Sequence, residues 1–280
     1  MMKSADLHLH TAFSDGTDAP EELIQKAAHA GLSAVAVTDH DSVEAVPAAI
    51  DAGILHGIEV IPGIELTAEY EGLEMHILGY FLDYRNSRLH EKLSLIEQAR
   101  IERIHAMVAK LNGLGVKIDA DKIFALSGKG IVSRLHVARV MVSEGIISSI
   151  WEAFSKYIGN NGPAYVLGFK LAPQDAVKLI RGAGGIPVLA HPYALRRDDL
   201  IPKFVHCGIR GLEVYYPEHT NTMRNKYIRM CREHKLLMTG GSDYHGRAKP
   251  EITLGAFKVP YELVESLREE RNRCCHEKRP

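Results

Sequence analysis

The chain has 280 residues, with 34 basic and 35 acidic side chains and a formal net charge of −1 at pH 7. That length suits one large α/β domain, or one domain carrying an insertion, with a core of its own. The near-zero charge excludes a global basic field for gathering long nucleic acid, although a local pocket for a small anion remains open. No stretch approaches the roughly 18 apolar residues of a membrane span, and the N-terminus lacks an export signal's apolar core. Cys207, Cys231, Cys274 and Cys275 form no Cys-x-x-Cys pair, so a cytoplasmic protein without disulfides is expected.

Asp6-Leu-His8-Leu-His10 reads as a first strand. Alternation there places Asp6, His8 and His10 on one face and Leu7 and Leu9 on the other. Ser14-Asp15-Gly16-Thr17 is a turn, and Pro20 opens a helix that stops at Gly31. A buried strand at 33–38 ends in Asp39-His40-Asp41. A helix at 43–55 leads to a strand at 59–67 that offers Glu65, and a strand at 74–82 carries His76. From 87 to 112 apolar residues recur at helical spacing, and further helices are predicted at 120–127, 134–144 and 149–157. With little strand signal before 163–166, residues 88–168 read as an α-helical insertion domain in a barrel formed by 1–87 and 169–280.

The β/α alternation resumes with a helix at 173–183 and a strand at 185–190 ending in His191-Pro192. A helix at 198–207, a strand at 211–215, a helix at 221–234 and a strand at 236–239 follow, the last ending in Gly240-Gly-Ser-Asp243-Tyr-His245. A short strand at 254–258 and a helix at 260–270 complete the fold, and 271–279 reads as a frayed, solvent-facing charge run. Alternating short strands and helices predict a parallel sheet closed, or nearly closed, into a barrel.

His8, His10, Asp15, His40, Glu65, His76, His191, Asp243 and His245 nearly all sit at or just after a predicted strand end. In a parallel barrel those ends share one rim. Nine metal-competent side chains exceed what one tetrahedral ion uses, so two or three clustered ions are expected, with mixed imidazole and carboxylate donors suiting manganese, iron or zinc.

These stretches resemble the PHP (polymerase and histidinol phosphatase) metal-dependent phosphoesterases, through Asp6-Leu-His8-Leu-His10, Ser14-Asp15-Gly16, Thr38-Asp39-His40-Asp41, Gly63-Ile-Glu65, the His76 strand, Ala190-His191-Pro192 and Ser242-Asp243-Tyr-His245. The resemblance implies a distorted (β/α)7 barrel holding three divalent ions. His8, His10, Glu65 and Asp243 would take one ion, and Glu65, His76 and His191 a second bridged by Glu65. Asp15, His40 and His245 would take the third, with Asp6, Asp39 and Asp41 orienting imidazoles. The insertion's position resembles the free-standing bacterial subgroup of 3′,5′-nucleoside bisphosphate phosphatases, some of which trim short RNA from the 5′ end. Ser133-Arg134-Leu135-His136 resembles that subgroup's Gly-Arg-Pro-His segment and implies Arg134 and His136 as phosphate contacts. Ser133 and Leu135 depart from the pattern.

The implied reaction is phosphomonoester hydrolysis of a small nucleotide by a metal-activated hydroxide. His191, Asp243 or His245 would supply the leaving-group proton, and the sequence does not choose among them. Lys170 reads as solvated, and Arg196-Arg197, five residues beyond His191, are placed to contact a phosphate from their loop. No membrane association or obligate protein partner is implied. Histidinol phosphatase, a non-catalytic metal-binding PHP module and a metal-dependent amidohydrolase are the alternatives.

Overall fold

The computed structural model describes residues 3–128 and 130–276. Its strands are β1 (Ser4–Leu9), β2 (Ala34–Val37), β3 (Glu59–Tyr70), β4 (Leu73–Tyr80), β5 (Ile186–Leu189), β6 (Gly211–Tyr215), β7 (Leu237–Gly240) and β8 (Val259–Pro260). They form one sheet in the order β7-β6-β5-β4-β3-β2-β1-β8. β1 lies beside the chain following β7, where the His10 amide donates to the Tyr244 carbonyl at 2.9 Å and Leu9 bridges Tyr244. The sheet thereby curls into a nearly closed barrel, and β8 pairs antiparallel with Ser4 and Ala5 at its foot.

The sheet is not wholly parallel. β4 runs antiparallel to both β3 and β5, whereas the β1–β2, β2–β3, β5–β6 and β6–β7 pairs are parallel. The cause is local. Tyr70 pairs with Leu73 across a two-residue loop, Glu71-Gly72, and both loop residues have positive φ (51° and 80°). That geometry turns a tight hairpin, so β3 runs on past the expected 59–67 and the chain doubles back. A second departure lies in β1, where the register against β2 shifts between Asp6 and Leu9. This bulge breaks strict alternation, and Leu7 packs with Ala34, Leu78 and Tyr80 while Leu9 packs with Leu23, Ile24 and Val37.

The helices outside the barrel begin with α1 (Pro20–His29) and α2 (Val46–His56), whose buried faces meet β1 and β2. Between β4 and β5 the chain builds α3 (Ser87–Gly113), α4 (Ala120–Ser127), α5 (Arg134–Ser143) and α6 (Ile150–Ala153). α3 joins two cores. Leu89, Leu93 and Ile96 belong to the barrel-side cluster, whereas Ile104, Met107 and Leu111 pack with Ile123, Val137, Met141 and Ile158. The expected helix at 149–157 is α6 followed by a wider π turn, Phe154–Ile158. Residues 163–166 are turn and extended chain, and Leu171 instead docks on β3, its carbonyl accepting from Glu69 N at 2.8 Å.

α7 (Pro173–Gly182), α8 (Ile201–His206), α9 (Asn221–His234) and α10 (Glu262–His276) complete the chain. A 3₁₀ turn, Asp198–Leu200, takes the start of the helix expected at 198–207. The final strand falls at Val259–Pro260 rather than 254–258, and α10 carries the charge run through His276, the rest of which lies outside the described residues. Among the described residues, no helix is long and apolar enough to cross a membrane.

Candidate metal centre

At one mouth of the barrel, Glu65 stands at the focus of five imidazoles. Its Oε2 lies 3.3 Å from His8 Nε2, 3.2 Å from His10 Nε2 and 3.1 Å from His40 Nδ1, while its Oε1 lies 2.9 Å from His76 Nδ1 and 3.1 Å from His191 Nε2. Asp243 Oδ1 approaches His10 Nε2 at 3.1 Å and His8 Nε2 at 3.5 Å. Asp15 Oδ1 approaches His245 Nε2 at 3.1 Å, and the His10 and His245 rings stack with centroids 4.1 Å apart.

The folding reasons differ by residue. β1 presents His8 and, one residue past its end, His10. His40 follows β2, and its backbone bridges Glu65 on the overlong β3. His76 lies within β4 rather than at its far end, and the hairpin brings it in, because an antiparallel strand starts at the rim where its parallel neighbours finish. His191 and Asp243 follow β5 and β7 at positive φ, 24° and 54°. Such conformations cost of order 1–3 kcal/mol each and persist where surrounding structure enforces them, commonly at functional sites.

Three groups have ligand atoms all within 4.8 Å of one another and could each hold a metal ion: His8, His10, Glu65 and Asp243; His40, Glu65 and His76; His10, Asp15, His40 and His245. The chemistry fits. His8 Nε2, His10 Nε2, Asp15 Oδ1, His40 Nδ1 and Glu65 Oε2 are buried without a hydrogen-bond partner, a costly state for polar atoms unless a cation completes them. Burial alone would raise the Glu65 carboxyl, but His40, His76 and His8 outweigh it and hold it well below the usual range. Asp243 is likewise held low against burial, by Lys249, His245 and His8. Burial pushes His40 well below its ordinary value, with His10 and His76 adding to it, which favours the neutral imidazole that a metal needs.

Several side chains that the sequence reading passed over shape this centre. Glu213, fully buried, accepts from His8 Nδ1 at 2.9 Å and from the His191 amide at 2.8 Å. A lone glutamate inside Gly211-Leu-Glu-Val-Tyr was the available signal. Lys249 Nζ (2.7 Å) and the Tyr216 hydroxyl (2.9 Å) both donate to Asp243 Oδ2, leaving Oδ1 to the imidazoles. None of the three aspartates expected to orient imidazoles bonds a ring directly. Asp6 accepts from the His8 and Ser242 amides, tying β1 to the loop after β7. Asp39 holds the 11–14 turn through the Thr11 amide and hydroxyl and Ser14 Oγ, and that hydroxyl lies 3.4 Å from His10 Nδ1. Asp41 binds Arg100 and the Thr67 amide.

Beside the imidazoles lies a cavity of about 160 Å³ lined by Asp15, His40 and His76, by Glu74 and by Arg100, Arg103 and Arg134. Arg134 is restrained by Asn160 Oδ1 at 2.8 Å and by Glu74 at 3.6 Å. Arg103 Nε donates to the Val166 carbonyl, but its Nη2 is buried without a partner. Burial, with Arg134 and Arg100 nearby, lowers this guanidinium to about 10. His136 does not line that cavity. It is buried, and its Nδ1 accepts from the Ser133 amide at 3.1 Å to cap α5. Lys170, expected to be solvated, pairs with Glu69 and lies 3.7 Å from Glu74, and Arg197 pairs with Asp199.

Residues 6–158 match the family model of the PHP domain. The chain is 31% identical over 263 residues to a phosphoribosyl 1,2-cyclic phosphate 1,2-diphosphodiesterase of Eggerthella lenta, covering 91% of this chain and 98% of that one. It is 32% identical over 250 residues to a 3′,5′-nucleoside bisphosphate phosphatase of Chromobacterium violaceum, covering 87% and 88%. Over 250 residues it is also 32% identical to a 5′-3′ exoribonuclease of Haemophilus influenzae, covering 88% and 91%. Among solved structures, a protein of Bifidobacterium adolescentis assigned to the metal-dependent phosphoesterases superposes with a TM-score of 0.88 at 29% identity over 95% of both chains. The matched span runs from the histidine-bearing first strand through α6, and the chain belongs to the PHP family.

Proposed function

We propose that this metal-dependent phosphoesterase removes the 3′-phosphate of a 3′,5′-nucleoside bisphosphate and trims short RNA from its 5′ end. The observation carrying the reading is the set of buried, unpaired ligand atoms on His8, His10, Asp15, His40 and Glu65, beside a cavity lined by three arginines. In this reading His8, His10, Glu65 and Asp243 hold one divalent ion and Glu65, His76 and His191 a second. Asp15, His40 and His245 hold the third, with His10 beside them. The donor mix suits manganese, iron or zinc. Such ions, when bound, supply a water of lowered pKa and offset charge on the phosphoryl oxygens.

The chain's own groups do the rest. Arg100, Arg103 and Arg134 receive the nucleotide's second phosphate, since a guanidinium binds two phosphate oxygens at once. An anion there completes Arg103 Nη2 and relieves the repulsion among the arginines. Glu213 fixes the ring of His8, and Lys249 with Tyr216 fixes Asp243. Proton delivery to the leaving oxygen falls to His191, Asp243 or His245. Residues 88–168 serve as a capping domain over a barrel of 1–87 and 169–280, with Ser133, Arg134, Leu135 and Phe154 as one wall of the cavity. A cytoplasmic setting belongs to the same proposal, in keeping with the free thiols of Cys207, Cys231 and Cys274.

The test is a substrate panel, with manganese and after chelation: 3′-phosphoadenosine 5′-phosphate, a 5′-phosphorylated short RNA, a ribose 1,2-cyclic phosphate and histidinol phosphate. The cyclic arm is included because of the Eggerthella lenta relative's name. Metal-dependent phosphate release fastest from the bisphosphate is expected. His10→Ala or Asp243→Ala should lower metal content and cut turnover by about 100-fold or more with the fold intact. Preference for histidinol phosphate or the cyclic ester, or full activity after chelation, would overturn the reading.

A further inference from the structure

A second cavity, of about 590 Å³, lies on the other side of the Asp15 turn, lined by Phe13, Gly16 and Thr17, by Ser127 and Gly128, and by His136, Arg139 and Arg247. It occupies the seam where the helical segment meets the barrel, closed at one edge by the Ile131 amide donating to the Phe13 carbonyl at 3.0 Å. Arg139 is half-buried, and its side chain forms no hydrogen bond or ion pair with a described residue, nor does that of Arg247. The Arg247 backbone is nevertheless held in place, its amide donating to Thr17 Oγ1 at 2.8 Å. Burial lowers the Arg139 guanidinium, with Arg247 adding to it, and among the described residues Asp15 is the carboxylate that offsets it. In the proposed reading Asp15 is committed to a metal ion, which leaves two converging arginines without a counter-charge.

α5 links this cavity to the first. Ser133, Arg134 and Leu135 line the cavity beside the imidazoles, and His136 and Arg139 line the second. Five residues of helix separate Arg134 from Arg139 by about 7.5 Å along the axis and about 140° around it, so the two face different cavities across the Asp15 turn. We infer that Arg139 and Arg247 form a phosphate subsite for an oligonucleotide, taking the phosphodiester beyond the nucleoside bound at the metal centre. This rests on the nucleotide reading above. A mononucleoside bisphosphate fills the first cavity only, so the second sets a preference for chains over single nucleotides. It also gives a chain of net charge −1 a local means of holding short RNA.

The test compares the wild type with the Arg139→Ala/Arg247→Ala and Arg139→Lys/Arg247→Lys double variants, all manganese-loaded. Binding of a 5′-phosphorylated, phosphorothioate-linked RNA trinucleotide is read by fluorescence anisotropy at several salt concentrations. Turnover of the unmodified trinucleotide is compared with that of 3′-phosphoadenosine 5′-phosphate. Trinucleotide affinity should fall about tenfold in the alanine variant and less in the lysine variant, with a salt dependence shallower by about 0.7 per lost contact. The ratio of kcat/KM for trinucleotide over bisphosphate should fall about tenfold, through KM. Equal losses on both substrates, unchanged trinucleotide binding, or no trinucleotide binding by the wild type would overturn the subsite. Trinucleotide binding weakened by the variant in a protein that turns over neither nucleotide would instead overturn the proposed reaction and leave the subsite standing.

Discussion

Glu213 decides which nitrogen His8 offers. With Nδ1 engaged at 2.9 Å by the glutamate, Nε2 is the atom left to face Glu65 and Asp243. Glu213→Gln keeps the shape but loses the charge that favours an Nδ1 proton, so metal affinity should fall 10- to 100-fold, measured by metal-buffer titration. The melting curve of the chelated variant should match that of chelated wild type, and an equal loss of fold would refute the assignment. Residue scale is also where the sequence was most and least legible. His8, His10, Asp15, His40 and Glu65 declare themselves because metal-competent side chains punctuate apolar strands. Arg100, Arg103 and Lys249 do not, because Arg100 and Arg103 contact chain 33 to 63 residues away, and Lys249 sits in a loop with no pattern of its own. His136 carries a separate consequence. Burial, aided by Arg139 and Arg100 and opposed by Asp15, pushes it from 6.5 to about 4. A group depressed on folding contributes stability fully present above its unfolded value, near 6.5, and lost as pH falls through about 4, here on the order of 3 kcal/mol. Glutamine at this helix position can accept the same Ser133 amide. His136→Gln should therefore flatten the loss of stability between pH 6.5 and 4 in urea titrations, and a variant as acid-labile as wild type would refute the assignment.

At the scale of elements, most helices and strands follow from periodicity and from prolines at helix starts, as in α1, α2 and α7. The hairpin did not, because Glu71-Gly72 is a short turn signal between two runs that each read as independent strands in a β/α series. The β1 bulge was equally hidden, since strand register is a property of pairs. Closure of the barrel depends on one small residue. A Cβ on Gly241 would lie 2.5 Å from the Cβ and amide nitrogen of His8 and 2.9 Å from Asp6 Oδ1. Gly241→Ala should thus push β1 away from the loop after β7, at a cost of about 1–3 kcal/mol, and weaken metal binding in proportion. Gly182→Ala is the comparator, because a Cβ there meets nothing within 4 Å. It should be neutral or stabilising by up to about 1 kcal/mol in the same denaturant series. Equal effects at the two glycines would show that the approach of β1 to this loop is slack.

Over the whole molecule, the barrel mouth collects buried charge and unpaired polar atoms while the helical segment keeps an apolar core of its own around Ile104, Met107, Leu111, Val137 and Met141. Stability should therefore be unevenly sensitive to metal. An ion that binds only the folded chain stabilises it by about 2.7 kcal/mol at a hundredfold excess over its Kd, which for a chain of this size corresponds to roughly 5–10 °C in Tm. Chelation should lower Tm by that order. In hydrogen exchange, the amides of His10, Thr38, Asp41 and Glu65, whose partners lie among the ligand-bearing turns, should lose protection first. Amides of α3 beyond Ile104 and of α5 should keep theirs, because no proposed ligand lies among them and their core is complete without an ion. A chelated protein with unchanged Tm would mean that the orphaned atoms of His8, His10, Asp15, His40 and Glu65 find water or one another instead of a cation. Uniform loss of protection across both cores would mean that the ions hold the entire fold together rather than its mouth.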